Sequence, residues 1–141
     1  MDKIPKYDTL GLYSKSLYIR QTLAKGEEVF YSCNIEKYNR YGFTQERILL
    51  ITNMYMITMD FGPFNYNLHR KVPIDQIDAF TTSQKDKNNE LVIHFRGQEY
   101  DERYLAKKHA NNIVRVLQRI LTVKGCVFNC YRVPDKKLRT F

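Results

Sequence analysis

The sequence contains no tryptophan, and only three cysteines, four prolines and six glycines among 141 residues. Each scarcity excludes something. Three cysteines cannot build the disulfide framework that small secreted domains rely on. Cys33 falls in a strand-like segment and reads as a core thiol. Cys126 and Cys130 lack C-x-x-C spacing and have no histidine nearby, so no zinc site is expected. His69, His94 and His109 share no metal-ligand spacing, and His94 reads as a structural histidine within a strand. The glycines are scattered, which leaves no loop to cradle a nucleotide phosphate. No serine sits in a G-x-S-x-G elbow. Neither enzymatic activity nor a cofactor or metal is expected. No apolar run approaches the roughly 20 residues of a membrane span, and Met1–Tyr13 carries no signal-peptide core. The chain therefore reads as cytoplasmic.

What is present is charge, aromatics and β-formers. The net charge of +8 draws a protein toward acidic partners: nucleic acid, anionic lipid or an acidic protein surface. Nucleic acid is not expected, because no RNP-type aromatic pair, zinc finger or recognition-helix pattern occurs. A hydrophobic share of 43% with 27% charged residues is a globular balance. The length fits one domain with its own core. Tyrosine (11) and phenylalanine (8) favour strands and also populate contact surfaces.

The chain divides into an arm (1–26), a body (27–122) and a tail (123–141). In the arm, Leu12, Leu17, Tyr18 and Leu23 suggest a short helix stopped at Gly26. In the body, strands are expected at 28–35, 46–52, 54–59, 68–74, 77–83, 91–95 and 98–104, with a break at Gly62-Pro63 and a polar loop over 84–89. A helix is expected over 106–122, with Ala110, Ile113, Val114, Leu117, Ile120 and Leu121 on one face and Lys124-Gly125 as its stop. Seven short strands followed by one amphipathic helix suit a bent sandwich whose open end the helix plugs. In the tail, Cys126–Tyr131 is apolar enough to add a strand or to pack on a partner.

The run from Lys37 through Asn39-Arg40, Gly42, Gln45 and Arg47 to Leu49-Leu50-Ile51-Thr52 resembles the tail homology 1 (TH1) pattern of class I myosins. Arg70-Lys71-Val72-Pro73-Ile74, Leu91-Val92-Ile93-His94-Phe95 and Glu99–Tyr104 resemble further segments of that family, in the same order. The resemblance spans about residues 28–122 and implies a pleckstrin-homology-like fold: a bent seven-stranded β-sandwich capped by a C-terminal helix. It also implies a non-catalytic module that binds anionic phospholipids around its first hairpin loop; unlike the myosins, this sequence shows no motor or other catalytic domain and reads as a stand-alone protein of protist type. Carried over by position, the lipid contacts would be Lys37, Arg40 and Arg47.

Near an anionic membrane each such cation is worth roughly 1 kcal/mol. Three together give roughly a hundredfold, and Glu36 and Glu46 dilute them. Tyr38, Tyr41 and Phe43 interleave with the cations as candidate partner contacts. The basic tail adds Lys136, Lys137 and Arg139. Two functions are therefore expected to compete. One is a structural subunit of a cytoskeletal assembly, held through the basic surface and both ends, with tubulin or a ciliary microtubule wall as the acidic partner. The other is a peripheral membrane adaptor that binds phosphoinositides.

Overall fold

The computed structural model describes residues 7–8, 17–61, 66–85, 90–97 and 101–134. An antiparallel meander forms first, from β2 (Val29–Tyr38), β3 (Thr44–Thr52), β4 (Tyr55–Phe61) and β5 (Tyr66–Pro73). A 3-10 turn, Ile74–Gln76, leads into β6 (Ile77–Ser83), β7 (Glu90–Phe95) and β8 (Glu102–Leu105). Strand β8 returns to β2 through the pairs Glu36↔Leu105 and Lys37↔Tyr104. The order along the sheet is β5-β4-β3-β2-β8-β7-β6, so the consecutive strands β5 and β6 do not pair. The sheet bends over on itself, and helix α2 (Ala110–Val123) packs into the core.

This is the expected mainly-β architecture with its closing helix, and β2–β8 are the seven expected strands. Two short strands come from outside the expected body. Tyr7–Asp8 (β1) pairs in parallel with Tyr31 and Ser32 of β2. Asn129–Val133 (β9) lies parallel to β6 in the register Ala79↔Asn129 through Ser83↔Val133. Within the arm, α1 (Leu17–Thr22) sets Ile19 against Val29, Leu50, Ile57 and Met59, and so covers the outer face of the first sheet. The Gly62-Pro63 break, most of the polar loop and residues 98–100 lie outside the described residues.

The core joins Tyr31, Cys33, Ile35, Leu49 and Ile51 to Phe80, Leu91 and Ile93 across the sandwich. Cys33 is fully buried, and burial pushes its thiol pKa up to about 12. From α2, Ala110, Ile113, Val116, Leu117, Ile120 and Leu121 are buried. Val116 thus takes the core place expected of Val114, which is only half-buried. Gly125 ends the helix at φ +71°. Its N–H donates to Thr122 O (3.0 Å), and Cys126 N–H donates to Leu121 O (2.9 Å). That is a Schellman stop, and it turns the chain back toward β9.

Where the 3-10 turn Lys107–His109 meets α2, the His109 Nδ1 lies 2.6 Å from the Tyr31 hydroxyl. Burial, and then the neighbouring Lys108 charge, lower the imidazole pKa below its usual 6.5. The unfolded chain takes this proton more readily than the folded one. His109 therefore contributes stability that is complete above about pH 6.5 and is lost as pH falls through the folded value. Urea midpoints measured at pH 7.5 and 5.5 should drop more in the parent than in His109→Gln. An equal drop in both would exclude the coupling.

Candidate anion-binding site

Strand β2 runs three residues past its expected end, because Glu36↔Glu46, Lys37↔Gln45 and Tyr38↔Thr44 continue the ladder. The hairpin loop shrinks to Asn39–Phe43. Asn39 organises it: its Oδ1 accepts from the N–H groups of Tyr41 (2.9 Å) and Phe43 (3.1 Å), and its own N–H donates to Phe43 O (2.8 Å). Gly42 supplies the left-handed turn at φ +83°, where a side chain would be strained. The result is a braced tip from which Tyr41 (73% exposed) and Phe43 (70% exposed) project.

Beside this tip is an open cavity of about 860 Å³, lined by Lys37, Tyr38, Arg40, Gln45, Asp101 and Arg103, among others. Three cations face one carboxylate there. Lys37 Nζ is 3.2 Å from Oε2 of Glu102, which is buried inside the sandwich. Glu102 Oε1 also accepts from Arg70 Nη1 at 2.6 Å, so two cations share one carboxylate and the triad remains positive. The Arg70 guanidinium in turn lies 4.7 Å from the centre of the Phe95 ring. Arg103 stacks on the Tyr38 ring at 4.2 Å and lies 3.6 Å from Glu90 Oε2, while the Tyr38 hydroxyl donates to Glu90 Oε1 (3.0 Å). Arg40 is exposed and lies 5.3 Å from the centre of the Tyr41 ring. The cavity thus holds two pre-positioned cations and one exposed cation at its rim, next to two exposed aromatic rings. Such a combination recognises a phosphate-bearing surface with an apolar layer behind it.

The fold unites Lys37 and Arg40, as the sequence reading expects, but sends Arg47 elsewhere. Arg47 stands opposite Ile35, two pairs further from the tip than Lys37. Its guanidinium bonds Gln45 Oε1 and Glu46 O, and it sits 4.0 Å from Asp60. It lines a separate cavity of about 430 Å³ with Glu36, Glu46, Asp60 and Lys107. Three carboxylates outnumber two cations there, so an anion is repelled rather than drawn in. Hydrogen bonds from His69 and Asn67 hold the Asp60 carboxyl below the ordinary carboxylate range. Arg103 is the cation that sequence reasoning missed. Tyr38 is half-buried and committed to Glu90, whereas Tyr41 and Phe43 are exposed. Lys136, Lys137 and Arg139 lie outside the described residues.

One constellation has the outline of a nucleophile–base–acid chain. The Thr81 hydroxyl is 2.6 Å from His94 Nε2, and His94 Nδ1 is 2.7 Å from Asp101 Oδ2. Thr81, however, is fully buried, so no reacting atom can approach its oxygen. Asp101 Oδ1 also accepts from Phe95 N–H (3.2 Å). The chain is a strut that ties the β7–β8 connection to the sheet.

A family described as unconventional myosin tail, actin- and lipid-binding, matches residues 7–130. Among solved structures, the chain is similar to the hSac2 domain of the human phosphoinositide phosphatase Sac2 (TM-score 0.64, 12% identity, 82% of each chain covered). It is also similar to a pleckstrin homology domain from Shewanella amazonensis (TM-score 0.53, 17% identity, 85% of this chain and 93% of that one). A third is the Slm1 PH domain in complex with inositol-4-phosphate (TM-score 0.50, 7% identity, 65% and 92%). At these identities the likeness shows the fold, which is PH-like. No curated protein matches the chain.

Proposed function

The chain belongs to the unconventional myosin tail (TH1) family, described as actin- and lipid-binding, and on that basis we propose that it is a non-catalytic module that docks on anionic membrane surfaces through its β2–β3 hairpin. The observation that carries the proposal is the joining of Lys37, Arg40 and Arg103 around one cavity beside the exposed rings of Tyr41 and Phe43. Lys37 and Arg103 are held from behind by Glu102 and Glu90, so little side-chain freedom is lost when an anion binds. Arg40 supplies the contact at the rim. The two rings can enter the interfacial layer of the bilayer once the cations bring the tip to the surface.

Sedimentation with lipid vesicles tests this. The parent protein should pellet with vesicles that contain phosphatidylserine or a phosphoinositide, and not with neutral phosphatidylcholine vesicles. At roughly 1 kcal/mol per cation, Arg40→Ala with Arg103→Ala should weaken binding about 30-fold. Arg47→Ala, outside the cavity, should change it less than about twofold. Equal binding to neutral and anionic vesicles, or a larger effect from Arg47 than from Arg40 and Arg103, would overturn the assignment.

The cytoskeletal reading keeps one support, the actin half of the family description. A tubulin-bound or ciliary role rests on the net charge of +8 alone.

A further inference from the structure

The family description carries two ligands, actin and lipid. A second surface is set apart by its charge. Residues 103–134, which contain α2 and β9, hold seven lysines and arginines and no aspartate or glutamate; all fifteen acidic residues lie elsewhere in the chain. Between α2 and β9 runs a groove of about 500 Å³. Arg115 enters it from the helix, Arg132 from the strand and Lys85 from just beyond β6, with Gln118, Cys130 and Tyr131 between them. Among the described residues its one carboxylate is Glu90, which the Tyr38 hydroxyl and Arg103 already engage. A ligand in the groove therefore meets three cations and one carboxylate among the described lining residues.

Among the described residues, the same region holds three of the six exposed large apolar side chains, Val123, Val127 and Tyr131. Arg115, Arg119 and Val123 follow at i, i+4 and i+8, one stripe along a helix about 21 Å long. Strand β9 pairs with β6 alone among the described residues, and its first four residues are exposed. Arginine and tyrosine among apolar side chains, spread over a helix and a strand edge, make a broad surface, unlike the projecting tip of the hairpin. Such a surface fits another protein better than a bilayer.

We infer that the groove and stripe formed by α2 and β9 are a docking surface for an acidic protein filament, separate from the lipid-binding hairpin, with actin the candidate that the family description supplies. The groove takes carboxylate side chains, while Val123, Val127 and Tyr131 supply the apolar contacts. This inference does not depend on the hairpin reading.

Cosedimentation of the whole chain with actin filaments tests it. The parent should pellet with filaments at about 50 mM salt and progressively less toward about 200 mM, as screening shortens the reach of the charges. Arg115→Glu with Arg132→Glu should weaken filament binding at least about 30-fold while anionic-vesicle binding stays within about threefold. Tyr41→Ser with Phe43→Ser should leave filament binding intact. If charge reversal lowers the melting temperature, Arg115→Gln with Arg132→Gln replaces it, with about a tenfold loss expected. Three results overturn the inference: a parent that does not pellet with filaments, reversal without effect, or reversal that removes vesicle binding as well, which would make the groove a membrane surface.

Discussion

Glu102→Ala is expected to lower the free energy of unfolding by about 3–5 kcal/mol, the usual cost of removing one member of a buried ion cluster. The Glu102 side chain is fully buried, and it receives both Arg70 (2.6 Å) and Lys37 (3.2 Å). Without it, two cations confront each other at the open end of the sandwich, and Arg70 itself is 9% exposed. Glu102→Gln keeps the shape and one acceptor, so a smaller loss is expected from it. Urea unfolding at pH 7 measures both. A loss below about 1 kcal/mol for the alanine variant would mean that water or backbone groups replace the carboxylate, and that Lys37 is not positioned from behind.

Tyr41→Ser with Phe43→Ser is expected to weaken binding to anionic vesicles about a hundredfold. Seating two aromatic rings in an apolar layer is worth roughly 3 kcal/mol, even when burial is partial. Because both rings project into solvent and Asn39 and Gly42 brace the loop by themselves, the melting temperature should scarcely move. Salt separates this effect from that of the cations. The loss from Arg40→Ala with Arg103→Ala should shrink as salt rises, whereas the loss from the ring variant should persist. Binding by the ring variant equal to that of the parent would place the tip outside the membrane contact.

The strands that the sequence showed most plainly are those whose signal is local. Ile77–Ser83 is a continuous β-rich run between a turn and a polar loop, and its bounds agree with the structure. The stop of α2 was legible from Lys124-Gly125, because a left-handed glycine is a local requirement. Arg103 was not legible as a site residue. It reaches the hairpin only because β8 pairs with β2 across more than sixty positions of sequence. Arg47 lies apart from the hairpin cavity for the converse reason. It lies close to Lys37 in sequence, yet the hairpin register sets it two pairs further along, and Asp60 and Gln45 hold its guanidinium there. Strand β1, two residues long and parallel, carries no periodicity that could announce it.

The parallel pairing of β9 with β6 has a mechanical consequence. Tension applied to the chain beyond Val133 and directed along β9 slides that strand past β6, and its five paired positions resist together as a shear joint. A pull on the arm through β1 meets only two paired positions on β2. The domain should therefore yield first at its amino end, and the rate of rupture under load, rather than the equilibrium stability, decides how long it holds.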